Sequence, residues 1–345
     1  MGIPVESKIK LRSRFRKGKL NLITDVPGVK AGHKTIIDEE KDIHTGVTAL
    51  IPADGNLYRD KVPAGVSVIN GFGKSTGLVQ VEELGNIETP VILTNTFAVG
   101  TALNALTRYM LEENPEIGVT TGTVNCIVTE CNDGSLNDIR GMHVKEEDVT
   151  DAINCAGKEF QEGGNGAGTG MICMGLKGGI GSASRILTCN GKDYTIGALV
   201  LSNFGMKGNL RINGRPVEEM EHSVETEKGS CIILIGTDLP LNERQLKRVA
   251  KRASVGLART GSFIGNGSGD IAIAFSNGNR IPHFTEEEIF PVKMFNDSKM
   301  DKVFEATAEA VEESIISSLY HAETVTGIKN RKILSLRETY PQLFL

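Results

Sequence analysis

Residues 265–276, Gly-Asn-Gly-Ser-Gly-Asp-Ile-Ala-Ile-Ala-Phe-Ser, set Ser268 between two glycines, follow it with an acid and then run into apolar β-type sequence. A serine hydroxyl is a weak nucleophile near neutral pH and needs a base within hydrogen-bond reach. No Gly-x-Ser-x-Gly elbow surrounds Ser268, and none of the six histidines is marked out as its partner. Cleavage of the Gly267–Ser268 bond would supply a base. The new α-amine has an unperturbed pKa of about 7.7–8.0, so an appreciable fraction is neutral and can take the hydroxyl proton. Such a cut requires Ser268 Oγ to attack the Gly267 carbonyl on a kinked backbone, and glycines at 267 and 269 leave room for the kink. By themselves these residues fit an ordinary Gly-Ser turn leading into a strand better.

Two other glycine-rich stretches invite chemical readings. Residues 69–76, Ile-Asn-Gly-Phe-Gly-Lys-Ser-Thr, hold the lysine and hydroxyl of a phosphate loop, but Val68 stands where that loop needs its leading glycine. Residues 163–184 carry Gly-x-Gly-x-Gly rather than Gly-x-Gly-x-x-Gly spacing, so no dinucleotide fingerprint is expected. Backbone there must approach another strand or a ligand closely. Lys177, within it, is expected to be a solvated charge. The histidines show neither His-x-His nor His-Glu-x-x-His spacing, and no metal site or cofactor is expected. The six cysteines are scattered without a Cys-x-x-Cys pair and read as reduced and mostly buried.

The elements that must position these residues are legible as short apolar runs at 46–52, 66–70, 90–95, 196–203, 231–236 and 271–276, bounded by Gly, Asn, Asp or Pro. Runs of this kind belong to strands covered on both faces. Residues 242–259 place Leu246, Val249, Ala250, Ala253 and Leu257 on one helical stripe, and residues 302–323 align Phe304, Ala308, Val311, Ile315 and Leu319. Both helices should lie on a sheet, giving a mixed α/β sandwich in a single continuous domain.

Composition narrows the function classes. A formal charge of −5 gives no general reason to bind nucleic acid or an anionic membrane. The basic stretch 8–19 reads as a solvated N-terminal arm. No apolar run is long enough to span a bilayer or follows the basic start as a signal peptide requires, so a cytoplasmic location is expected.

Six blocks of the chain together resemble the L-aminopeptidase/D-esterase family, which includes the β-peptidyl aminopeptidases. They are residues 23–33, 70–100, 166–185, 197–205, 241–262 and 266–276, in order, and the likeness runs from about residue 20 to about residue 327. The resemblance implies a precursor that cuts itself before Ser268 into segments 1–267 and 268–345. Both segments would remain in one four-layer αββα sandwich, similar to the N-terminal-nucleophile hydrolases and shared with ornithine acetyltransferases. It also implies release of small N-terminal residues from peptides, amides and esters without a metal, and assembly as a homo-oligomer, often a tetramer.

Residue by residue, the resemblance puts the nucleophile at Ser268. Asn203 becomes the candidate oxyanion donor, with a strand-end turn cap as its other reading. Thr307 and Glu309 are the nearest match to a hydroxyl and a glutamate that hold the new amine. Glu309 falls opposite Val311 on the helical wheel, where solvent exposure is usual, so Glu312 and Glu313 stay open as alternatives. Met174 stands where some relatives are expected to carry an aromatic hydroxyl. Acyl transfer, hydrolysis of a non-peptide amide, and an uncleaved binding protein are the other functions compatible with the chain.

Overall fold

The computed structural model describes residue 9, residues 11–218 and residues 227–344. In chain order its first strands are β1 (Lys30–Asp38), β2 (Ile43–Ile51), β3 (Asp60–Gly71), β4 (Asn86–Ile87), β5 (Val91–Asn95), β6 (Ile127–Cys131), β7 (Ile172–Cys173) and β8 (Leu176–Lys177). They are followed by β9 (Gly179–Cys189), β10 (Lys192–Asn203), β11 (Arg211–Ile212), β12 (Arg215–Pro216), β13 (Lys228–Thr237), β14 (Gly267–Ser276) and β15 (Ile281–Pro282). Each apolar run singled out in the sequence falls within or overlaps a long strand. One sheet runs β1-β2-β5-β6. The larger one runs β15-β3-β14-β13-β10-β9, with β4 beside β3.

The two sheets face each other across a core that includes Leu50, Val91, Leu93, Leu199, Ile232, Leu234, Ile271 and Ile273. The period of two sends the alternate residues outward, so Val200, Cys231, Ile233, Ala272 and Ala274 meet a layer of helices. That layer is α4 (Glu243–Ala250), α5 (Ala253–Arg259) and α6 (Met300–Tyr320). On the far side, α2 (Val99–Glu113) and α3 (Glu146–Asn154) cover the smaller sheet through Ala102, Leu106, Val149 and Ile153, while the short α1 (Leu78–Leu84) lies beside β3. The expected αββα sandwich is the fold.

Three expectations are corrected by the packing. The helix read over 242–259 is two helices. Asn242 caps α4 by accepting from the Gln245 N–H, α4 packs on β3 and β14, and α5 turns to lie along α6. The apolar stripe nevertheless continues across the break, with Leu246, Val249, Ala250, Ala253 and Leu257 all buried.

α6 is the second correction. It is covered on nearly every side, so Glu309, expected in solvent, is 6% exposed. Arg185 on β9 is the reason. Its Nε donates to Glu309 at 3.1 Å and its Nη2 to Glu313 at 2.7 Å. The third correction concerns only the path of the basic arm: most of its charged side chains are exposed, as expected of a solvated arm, but it lies docked over this cluster. Ser13 Oγ and the Arg14 N–H donate to Glu309, and Lys17 and Asn21 donate to Glu313. Residue 9 is buried in the helix-side core, while residues 8 and 10 of the arm lie outside the described residues. Burial alone would raise the Glu313 carboxyl, but Arg185 and Lys17 outweigh it and hold it below its ordinary value.

The Arg185 guanidinium between two buried carboxylates stabilises mainly by preventing the cost of leaving Glu309 without a cation and Glu313 with Lys17 alone. Arg185→Met is therefore expected to destabilise the protein by about 3–5 kcal/mol. Thermal unfolding checks this, and an unchanged melting temperature would contradict it.

Candidate active site

β14 begins at the bond before Ser268. Its parallel pairing with β13 sets Ser268 opposite Gly229, and β13 in turn sets Ser230 opposite Asn203 at the end of β10. Ser268 and Asn203 thus lie at the same end of the large sheet, two strands apart. Upstream, the Ser268 N–H donates to the Gly265 carbonyl at 2.9 Å, closing a turn across residues 265–268. Asn70, from the end of β3, holds this turn. Its Nδ2 donates to the carbonyls of Gly265 (3.1 Å), Asn266 (3.2 Å) and Ser268.

The two flanking glycines have different reasons. A Cβ on Gly269 would sit 2.4 Å from the Phe72 carbonyl oxygen, so only glycine lets the two backbones meet. A Cβ on Gly267 would find nothing nearer than 3.9 Å. The expectation that both glycines clear an obstruction is therefore corrected for Gly267 in the unbroken chain.

Gly267 lines a cavity of about 790 Å³ together with Phe72, Lys74, Thr96, Glu130, Asn132, Asn203 and Gly229, among others. Its volume lies within the usual small-ligand range of about 300–1,000 Å³. Ser268 itself is buried behind that wall, at 1% exposure. Asn203 accepts from the Ile172 N–H through Oδ1 at 2.9 Å and donates through Nδ2 to the Asn132 carbonyl at 3.0 Å. These two bonds fix which end of the amide is the donor. Asn203 has a second Nδ2–H, and among the described residues no acceptor holds it.

Glu130 at the end of β6 is 2% exposed, yet it lines the cavity. The Lys74 N–H donates to its Oε1 at 2.8 Å, and the Thr96 hydroxyl donates to its Oε2. A carboxylate on the backbone of residues 69–76 is the opposite of a phosphate cradle, in keeping with the failed phosphate-loop match.

Thr307 and Glu309 are not brought to Ser268. Gly179 on β9 pairs with Ser202, beside Asn203, whereas Arg185, which binds Glu309, lies roughly 20 Å along the same strand at about 3.3 Å per residue. The part of α6 nearest the site is its last turn, where Ser318 Oγ meets Ser202 Oγ at 2.6 Å. Thr307 is roughly 16 Å back along the helix from there at about 1.5 Å per residue, and its hydroxyl donates to the Val303 carbonyl. Glu312 pairs with Arg259 and Glu313 with Arg185 and Lys17, so neither alternative reaches the serine. The helical position that matched the expected hydroxyl and glutamate carries an ion-pair cluster instead.

Met174 is buried in the helix-side core rather than facing the cavity, whose wall is formed by its neighbours Ile172 and Gly175. Lys177, expected in solvent, is fully buried. Its Nζ donates to the Gly168 and Gly178 carbonyls at 2.8 and 2.7 Å, and burial pushes its pKa down to about 7. It ties the loop before β7 to the turn after β8, and β7 carries the Ile172 N–H that holds Asn203.

Asn70, Glu130 and Asp270 are the groups that sequence reasoning did not assign. Glu130 had a signal in retrospect, an acid within the apolar run of β6. Asp270 was visible as the acid after Ser268.

A serine at the head of a central strand, in an αββα sandwich and beside a cavity with a side-chain amide and a buried acid, defines the class of N-terminal-nucleophile hydrolases. The profile of Peptidase family S58 matches residues 21–333, and the chain belongs to that family of serine aminopeptidases. It is similar to "Beta-peptidyl aminopeptidase BapA" of Sphingosinicella microcystinivorans, with 37% identity covering 97% of this chain and 88% of that one. Among solved structures, the PH0078 protein of Pyrococcus horikoshii OT3 is 52% identical with a TM-score of 0.91, covering 97% of this chain and 96% of that one. The L-aminopeptidase D-Ala-esterase/amidase of Ochrobactrum anthropi, described as a variant of the Ntn hydrolase fold, is 37% identical with a TM-score of 0.88, covering 96% and 98%. Among the described residues, no helix is long and apolar enough to cross a membrane.

Proposed function

We propose that the chain cuts itself between Gly267 and Ser268 and then releases small N-terminal residues from peptides, amides and esters through an acyl-enzyme on Ser268. The observation that carries this reading is the meeting of Gly267, Asn203 and Glu130 around one cavity, with Ser268 directly behind Gly267. Loss of the wall at Gly267 would open the cavity to the hydroxyl. The α-amine freed on Ser268 then takes the hydroxyl proton as Oγ attacks the substrate carbonyl, and returns it to the leaving amine. Asn203, its amide oriented by Ile172 and Asn132, donates its remaining Nδ2–H to the oxyanion. Water hydrolyses the ester and frees Ser268.

Glu130 gives the site its preference for a free amino end. A buried carboxylate held by two donors and facing a cavity retains lone pairs for a cationic guest, and the charge-assisted bond places the scissile carbonyl near Ser268. The substrate class follows the relatives, whose names specify β-peptidyl, L-amino acid and D-alanyl substrates.

The test compares small aminoacyl amides with their N-acetylated counterparts. Turnover of the free amines with no turnover of the blocked ones is expected, and equal rates on both would overturn the reading. Asn203→Ala is expected to lower kcat about 100-fold with little change in KM, since an oxyanion donor acts only in the transition state. An increase in KM at constant kcat would instead make Asn203 a substrate-binding residue.

A further inference from the structure

Asp270 has a position that the aminopeptidase cycle leaves unused. It stands two residues after Ser268 on β14, and the strand period puts both side chains on the helix-facing side. Both residues are 1% exposed. Ser268 Oγ and both carboxylate oxygens of Asp270 are buried and, among the described residues, make no hydrogen bond of good geometry. A buried polar atom without a partner costs roughly 1–3 kcal/mol, and more for a charged group. A carboxylate and a hydroxyl left so on one face, beside the bond to be cut, call for a chemical reason.

We infer that Asp270 is the general base for self-cleavage, taking the Ser268 hydroxyl proton while the chain is still unbroken and no α-amine exists to do so. The inference rests on the proposed cut at Gly267–Ser268, and it fills a gap in it, because the mature enzyme's base is itself a product of that cut. The Ser268 Oγ–H proton passes to the Asp270 carboxylate as Oγ bonds to the Gly267 carbonyl carbon. The tetrahedral adduct breaks its bond to the Ser268 nitrogen, which receives that proton from Asp270 and leaves as an amine. Gly267 is then joined to Oγ by an ester. Water adds to the ester and yields the Gly267 carboxylate and the free Ser268 hydroxyl.

The surroundings suit a proton acceptor. Burial raises the Asp270 carboxyl to about 6, the Ser268 hydroxyl draws it down, and the charge of Glu227 raises it further. A general base works best when its pKa lies near the operating pH. Cys231 on β13 and Cys131 on β6 also act on this region, but burial keeps both thiols well above their ordinary range and therefore neutral. The other requirement, a turn held for attack, is met by Asn70 on the carbonyls of Gly265, Asn266 and Ser268.

The experiment follows chain length by denaturing mass measurement over time for the wild-type protein, Asp270→Asn and Asp270→Glu. Each is melted beside Ser268→Ala as the uncut reference. The wild type is expected in two pieces. Asp270→Asn, folded like the reference, is expected to stay full length, with cutting slowed at least 100-fold. Hydroxylamine, which cleaves esters and spares amides, is expected to leave it whole, because its block precedes ester formation. Cutting of Asp270→Asn at the wild-type rate, or its conversion to two pieces by hydroxylamine, would overturn the inference. If Asp270→Asn does not melt cooperatively, Asp270→Glu decides. Cutting that persists with the carboxylate supports the base, and a folded Asp270→Glu that is never cut overturns it. A wild-type protein that remains one chain would instead refute the cut itself.

Discussion

Ser268→Ala is expected to persist as one unbroken chain and to lose turnover of aminoacyl amides by about a million-fold, the scale on which removal of a serine nucleophile is felt. One oxygen serves twice. It attacks the Gly267 carbonyl in the precursor and the substrate carbonyl in the mature enzyme, so its loss removes both the cut and the acyl-enzyme. The fold should tolerate the change. Ser268 Oγ is buried and makes no hydrogen bond of good geometry, so its removal takes from Asp270 a polar neighbour rather than a well-formed bond and costs little stability. Intact mass, melting temperature and activity on the same preparation check the expectation. A folded Ser268→Ala that was cut or active would mean that another group is the nucleophile.

Glu130→Gln is the second variant with a large expected effect. Losing one member of a desolvated charge pair with a substrate ammonium costs roughly 2–5 kcal/mol, so kcat/KM for free aminoacyl amides should fall by several hundred-fold. Self-cleavage should continue at the wild-type rate, because no part of the cut involves an ammonium guest. The substituted amide keeps a carbonyl oxygen to accept from the Lys74 N–H and an NH2 to donate to the Thr96 hydroxyl oxygen. The expected result is therefore a fully cut protein with weak discrimination between free and N-acetylated substrates. Unchanged kcat/KM with unchanged discrimination would remove Glu130 from the site.

What the sequence disclosed came from two sources. Gly-Ser-Gly-Asp, the first residues of β14, fits an ordinary turn by itself and drew attention to Ser268 only through the family resemblance, whereas the long strands were legible because short apolar runs end at turn residues. Asn203 was legible through its block near the end of β10. Glu309 was misplaced because a helical wheel knows one helix, whereas its burial comes from β9 and from the N-terminal arm. Lys177 was misread because lysine is usually solvated, and only the fold shows its ammonium between the Gly168 and Gly178 carbonyls. Asn70 and Glu130 reach the neighbourhood of Ser268 from β3 and β6, far from it in sequence, and nothing in their own segments points to that serine. Gly267 shows the converse: its neighbours in sequence suggested crowding that its neighbours in space do not impose.

The central claim is that the working nucleophile is a chain terminus, and the mass of the active wild-type protein under denaturing conditions tests it most directly. Two species are expected, corresponding to residues 1–267 and 268–345, the second beginning with Ser268. A single species of residues 1–345 that hydrolyses aminoacyl amides at full rate would contradict the account.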